Sequence, residues 1–203
     1  MKKTATLLYA SKTGFTRKAA EISVEILEEA GYACTLLDAA EAPLFEKSDL
    51  FLVGGPIIMG KMPREIFKTL ETNRAVLEKK GVALFLTCLR LTNAPDRETL
   101  PFEVFSSPVF TEEAKPLKKM SLLEKSHEIG YYFNAAGKTL SWLTINSGAV
   151  FKGGLNYSRL NLLQRIFMRF MSLLQKNQKE GDFIDEALLR EWIVKVTREG
   201  EGA

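Results

Sequence analysis

Apolar residues fall into two kinds of pattern along this chain, and their alternation predicts the architecture. Runs with little polar interruption occur at 6–10 (TLLYA), 32–37 (YACTLL), 50–53 (LFLV), 82–86 (VALFL) and 147–155 (SGAVFKGGL). Between them apolar residues recur at helical spacing: Ala20, Ile22, Ile26, Leu27 and Ala30 over 17–30, then Ile66, Phe67 and Leu70 after Pro63. The same spacing returns over 121–143 with Leu122, Leu123, Ile129, Tyr132 and Phe133. Strands without alternation are buried on both faces, so strands alternating with amphipathic helices predict a three-layer, doubly wound α/β domain with five parallel strands.

The pattern weakens over 91–119, where Pro95, Pro101, Pro108 and Pro116 interrupt it. A long irregular excursion is expected there, with a short strand near Val109; such excursions in compact domains usually carry function. Two helices are predicted near the C-terminus. The first, 158–176, is capped by Ser158 and has a broad apolar face from Leu162 to Leu174, with Arg159, Arg165, Arg169 and Lys176 lying elsewhere. That helix either packs on the sheet or lies on an anionic membrane surface. The second starts at Asp185 as N-cap and runs through Leu188, Leu189, Trp192, Ile193 and Val196.

Length and composition narrow the picture without naming a chemistry. A chain of 203 residues suits one domain spanning 1–203. The formal net charge of +3 is too mild to argue for nucleic acid, and none is expected as a partner. Cys34 and Cys88 lie in separate apolar runs and His127 is the single histidine, so no disulfide framework and no metal site are expected. No signal peptide and no bilayer-spanning apolar run is read, and a cytoplasmic protein is expected.

Chemistry enters at residues 11–16, Ser-Lys-Thr-Gly-Phe-Thr, which join the first strand to the first helix. A helix N-terminus has N–H groups without intrahelical partners and a partial positive charge, which suits an anion. Ser11, Thr13 and Thr16 add hydroxyls, Gly14 permits close approach, and no acid lies between Ser11 and Ala20. The same residues equally serve an ordinary hydroxyl-capped helix. In an open parallel sheet, ligands bind outside the carboxyl ends of the strands. Two further loops leave such ends: Gly54, Gly55, Pro56, Ile57, Ile58, Met59 and Gly60, and then Thr87, Cys88, Leu89 and Arg90. Gly55 to Lys61 also spells GxxxxGK, but Met62 stands where a triphosphate site needs Ser or Thr. Cys88 is read as a packed hydrophobe with a redox thiol as the alternative, and His127 as solvated with no chemistry.

These motifs resemble the flavodoxin-like family. Ser11 to Thr16 looks like its phosphate loop, and the resemblance implies a sheet order of 2-1-3-4-5 with flavin mononucleotide (FMN) bound across all three loops. By this resemblance Ser11, Lys12, Thr13, Gly14, Phe15 and Thr16 wrap the phosphate, while 54–60 and 87–90 meet the ring. The basic loops, Arg90 and Lys61 among them, are expected to raise the flavin's potential. Gly153-Gly154-Leu155-Asn156-Tyr157 and the two C-terminal helices are similar to the flavodoxin-like menaquinone-dependent protoporphyrinogen oxidases. That resemblance implies an FMN-dependent oxidoreductase with a quinone or other redox partner, a small-molecule substrate, and peripheral contact with the inner face of the membrane through 158–176. A non-enzymatic electron-transfer flavodoxin and a flavin-free interaction protein are the alternatives. No side chain is assigned as a catalytic acid or base.

Overall fold

The computed structural model describes residues 2–58, 60–108, 110, 114–155 and 181–199. Its main sheet has six strands: β1 (Thr4–Tyr9), β2 (Ala33–Asp38), β3 (Leu50–Pro56), β4 (Val82–Cys88), β5 (Val104–Ser106) and β6 (Ile145–Lys152). They are ordered β2-β1-β3-β4-β6-β5 and every pairing is parallel. The interior strands are buried on both faces, which their uninterrupted apolar sequence requires. Leu8, Val53, Leu84, Leu86 and Val150 face one core, while Leu7, Leu52, Phe85, Ala149 and Phe151 face the other.

Helix α1 (Phe15–Glu29) covers the second core with Ala19, Ala20, Ile26 and Leu27. The last described helix, α6 (Glu186–Glu199), lies beside it and buries Leu189, Trp192, Ile193 and Val196. Asp185 caps α6 as its sequence predicts, its side chain accepting from the Leu188 N–H at 3.0 Å. The opposite face is covered by α2 (Arg64–Thr72), α3 (Arg74–Leu77) and α5 (Ile129–Thr139), through Ile66, Leu70, Leu77, Tyr132, Phe133 and Ala136. Among the described residues no helix is long and apolar enough to cross a membrane.

Three expectations need correction. The sheet has six strands, because β5 adds an edge strand beyond β6; it lies at 104–106, and Val109 is outside the described residues. Three residues between Pro101 and Pro108 are too short to show a period, so only the open edge of β6 reveals them. The segment 121–143 is two helices, α4 (Leu122–Lys125) and α5, because Glu128 starts a new helix by accepting from the Tyr131 N–H. The predicted strand 147–155 ends at Lys152, after which β7 (Gly154–Leu155) pairs antiparallel with β8 (Gly181–Asp182). The predicted helix 158–176 lies outside the described residues.

One glycine in α5 is an opportunity. No heavy atom lies within 4 Å of a Cβ built on Gly137, which lines an apolar void with Phe67, Leu70, Leu140 and Leu143. Gly137→Ala is expected to stabilise the domain by about 1 kcal/mol, the helix-propensity difference. A thermal melt should show the midpoint rising by about 2–4 °C.

Candidate functional site

Strands β1, β3 and β4 are neighbours, so the loops leaving their carboxyl ends meet at one end of the sheet. Hydrogen bonds join them directly. The Ala10 N–H donates to the Gly54 carbonyl at 3.1 Å, and the Ile57 N–H to the Thr87 carbonyl at 2.8 Å. The Thr16 and Thr87 hydroxyls meet at 2.7 Å in a fully buried pair, tying the first turn of α1 to the end of β4.

The first loop turns sharply into α1. Gly14 takes a left-handed backbone, φ 89°, and its N–H donates to the Ser11 hydroxyl at 3.0 Å. The first intrahelical bond runs from the Lys18 N–H to the Gly14 carbonyl, so the N–H groups of Phe15, Thr16 and Arg17 precede it. No side chain caps this helix and no acid stands in its first turn. Lys12 is exposed and Thr13 half-buried, whereas Thr16 is buried against Thr87. The Phe15 ring packs against the turn after β6: a Cβ on Gly154 would come within 2.1 Å of it. The first loop therefore rests on Gly153 and Gly154, which strand and helix periodicity alone do not mark.

The second loop is shorter than its sequence suggests. Gly54, Gly55 and Pro56 belong to β3, and the absent side chains make room for core residues: Phe85 beside Gly54, Met62 and Ile66 beside Gly55. The exposed part is a tight hairpin in which Ile58 and Lys61 exchange backbone hydrogen bonds at 2.9 and 3.1 Å, with Gly60 at φ 77°. Ile57 is half-buried and Met59 is outside the described residues. In the third loop Thr87 and Cys88 end β4 and are buried, and Leu89 and Arg90 are half-buried. The Cys88 carbonyl accepts from the Gly153 N–H at 2.9 Å.

The segment 126–132, which follows the excursion, closes the side of this end. Tyr131 stands beside Gly60, the Thr92 N–H donates to the His127 carbonyl at 2.9 Å, and the Tyr132 hydroxyl donates to the Arg90 carbonyl at 3.4 Å. Neither the second nor the third loop contains an aromatic residue, so Tyr131 is an aromatic side chain at this end that the motifs do not mark; only the chain path brings it there. His127 is half-buried, its Nδ1 2.7 Å from the Leu123 carbonyl, and thus is held against α4 instead of being free in solvent.

Electrostatically the loops are one-signed. Residues 11–18, 57–64 and 87–93 carry Lys12, Arg17, Lys18, Lys61, Arg64 and Arg90 and no Asp or Glu. Lys18 is anchored by Asp182 at 2.7 Å, whose hydrogen bond pushes the ammonium pKa up and keeps it charged. Burial, then the Asp38 carboxylate, pushes the Tyr9 phenol above its ordinary value, so it stays neutral at the end of β1. Among the described residues no cluster of His, Cys, Asp and Glu can hold a metal ion.

Thr87→Val removes the hydroxyl that pairs with the buried Thr16 hydroxyl. The expected loss is about 1–3 kcal/mol, the cost of an orphaned buried polar group. Urea midpoints should also show the Thr16→Val, Thr87→Val double variant losing less than the sum of the single losses.

A parallel sheet in this order, with ligand-sized loops gathered at its carboxyl end, defines an α/β protein of the flavodoxin-like fold. The flavodoxin domain model matches residues 6–182, and the chain belongs to that family. Among solved structures it is similar to rubredoxin oxygen:oxidoreductase from the anaerobe Desulfovibrio gigas, at 9% identity and TM-score 0.53, covering 98% of this chain and 36% of that one. A flavodoxin from the domain Archaea is similar at 11% identity and TM-score 0.50, covering 98% of this chain and 99% of that one. The chain thus spans about a third of the first of these proteins and nearly all of the second. No curated protein sequence matches it.

Proposed function

We propose that this chain binds FMN at the carboxyl end of its sheet and acts as an oxidoreductase. The observation that carries the reading is the junction of β1 with α1, an uncapped helix start behind a left-handed glycine, free of acids and ringed by hydroxyls. Ser11, Lys12, Thr13, Gly14, Phe15 and Thr16 would hold the phosphate. Ile57, Ile58, Met59 and Gly60, with Thr87, Cys88, Leu89 and Arg90, would flank the ring. Gly54, Gly55 and Pro56 would set the path of that loop from within β3.

Bound flavin would supply the electron-transfer chemistry, and the protein supplies placement and electrostatics. The Thr16–Thr87 pair locks the phosphate loop to the ring loop, and Phe15 on Gly154 holds the start of α1 against β6. Lys12, Lys61, Arg64 and Arg90, on or beside three loops that carry no carboxylate, favour the electron-rich form of the cofactor and so raise its potential, whereas Arg17 and Lys18 in α1 are paired with Glu21 and with Asp182 and Glu186. A raised potential supports an enzyme that delivers electrons to a quinone over a low-potential carrier. The substrate reading is accordingly oxidation of protoporphyrinogen or a quinone-linked dehydrogenation, supported further by the sequence Gly153 to Tyr157. A location at the inner face of the membrane, with contact through residues 158–176, belongs to the same proposal.

Absorbance of the purified chain tests the first step. Flavin bands, present on isolation or after adding FMN, are expected, and their absence at saturating FMN would leave the interaction-protein alternative. Anaerobic turnover with protoporphyrinogen and a menaquinone analogue tests the second. Stoichiometric exchange with a reductase and no turnover would assign a carrier. Charge reversal at Arg159, Arg165 and Arg169 should weaken vesicle binding if 158–176 contacts the membrane.

A further inference from the structure

Six large apolar side chains are well exposed among the described residues, and four of them gather at one corner: Leu122 at 87%, Leu123 at 48%, Tyr131 at 46% and Ile58 at 38%. The hairpin that carries Ile58 abuts the segment that carries the other three. A Cβ on Gly60 would stand 3.4 Å from the Ser126 carbonyl oxygen and 3.9 Å from the Tyr131 ring. Ser126 is in turn bonded through its N–H to the Leu122 carbonyl at 3.1 Å and through its hydroxyl to the Leu123 carbonyl at 2.7 Å. Both leucines are therefore within a helical turn of the residue that touches the hairpin. Scattered single exposed leucines need no explanation, but a contiguous apolar patch does.

The rim of this patch is basic. Lys61, Lys118, Lys119 and Lys125 are exposed, and none of them joins an ion pair among the described residues. Two acids beside α4 are already engaged, while Glu65 at the start of α2 is exposed. Glu124 accepts from Lys115 at 2.9 Å and from the Ser121 N–H at 2.6 Å, and Asp96 accepts from the Leu117 N–H at 2.8 Å.

We infer that the corner formed by the 58–61 hairpin and α4 is a docking surface for an anionic lipid bilayer. Leu122, the most exposed of these side chains, enters the acyl boundary with the partly exposed Leu123 and Ile58 beside it, and the lysines around them meet anionic headgroups. A protein partner fits less well, because protein interfaces are depleted in lysine and enriched in arginine, whereas this rim has four lysines. Docking through this corner would bring the second loop to the membrane surface, within reach of a lipid-soluble electron partner. That last consequence rests on the proposed FMN site; the docking itself does not.

The test is co-sedimentation of the full chain with vesicles of phosphatidylcholine mixed with phosphatidylglycerol, against phosphatidylcholine alone. Wild type is expected to partition onto the anionic vesicles and to be released by salt. Leu122→Ser with Leu123→Ser should lower partitioning about tenfold or more. Lys118→Glu with Lys119→Glu should lower it by a similar factor on anionic vesicles only. All four positions are exposed, so parental melting curves are expected, and parental FMN absorbance shows the cofactor reading to be independent of the result. No binding by wild type, including the case where the corner captures an acidic protein instead, would overturn the inference. Unchanged binding by both variants would overturn it too, and place the contact elsewhere on the chain. Partitioning lost in the variants of a chain that takes up no flavin would sustain the docking and sink the FMN reading.

Discussion

Alanine in place of Gly54 is expected to destabilise the domain by about 3 kcal/mol or more, the upper range for overpacking a core. Its Cβ would lie 2.1 Å from Cζ of Phe85 and within 2.7 Å of both adjacent ring carbons. The ring has nowhere to go. Phe85 is fully buried and packs edge-on against Phe151 at 6.2 Å and Trp192 at 5.9 Å, and the Trp192 indole N–H donates to the Ser147 hydroxyl at 3.0 Å. Gly55→Ala is the contrast. Its Cβ would meet the flexible ends of Ile66 and Met62 at 3.0 Å, which can shift by a few tenths of an ångström, so a much smaller loss is expected. Urea titration should show a large fall in midpoint for Gly54→Ala at unchanged slope, a small one for Gly55→Ala, and partial recovery of the first when Phe85 is also changed to Leu.

Thr13→Asp is expected to separate stability from ligand binding. A carboxylate just ahead of the Gly14 cap interacts favourably with the helix N-terminus, by about 0.3–1 kcal/mol, so the apo chain should be as stable as the parent or slightly more so. The same charge would stand beside a bound phosphate. Two like charges about 4 Å apart at an effective dielectric near 20 repel by about 4 kcal/mol, so FMN affinity should fall by roughly a hundred- to a thousandfold. Thr13→Asn, of similar size without the charge, should change affinity only a few-fold. Fluorescence titration of FMN at low salt reads the difference. Equal affinity for Thr13→Asp and the parent would remove the phosphate from this loop.

The main elements were legible because each carries a local period. The run 82–86 is uniformly apolar because β4 is buried on both faces, and Leu189, Trp192, Ile193 and Val196 recur at helical spacing because α6 shows one stripe to the sheet. The three loops were legible as strand ends, and the structure does bring them together. Their internal assignments were less so. Gly54 and Gly55 read as part of the loop leaving the third strand, yet they are strand residues, because the ring of Phe85 and the side chains of Met62 and Ile66 occupy the space beside them. β5 was displaced in the reading because a three-residue edge strand has no period of its own.

Sequence by itself determined the layered α/β architecture, the order of most elements, and the acid-free, hydroxyl-rich turn into α1. It could do so because burial on one face or two imprints a repeat over neighbouring residues. Tertiary structure alone decided that Thr16 bonds to Thr87, 71 residues away, that Phe15 rests on Gly154, and that α4 and Tyr131 stand against the 58–61 hairpin. Contacts between such distant residues leave no repeat in the chain; they arise where the crossover connections of a parallel sheet deliver separate segments to the same end.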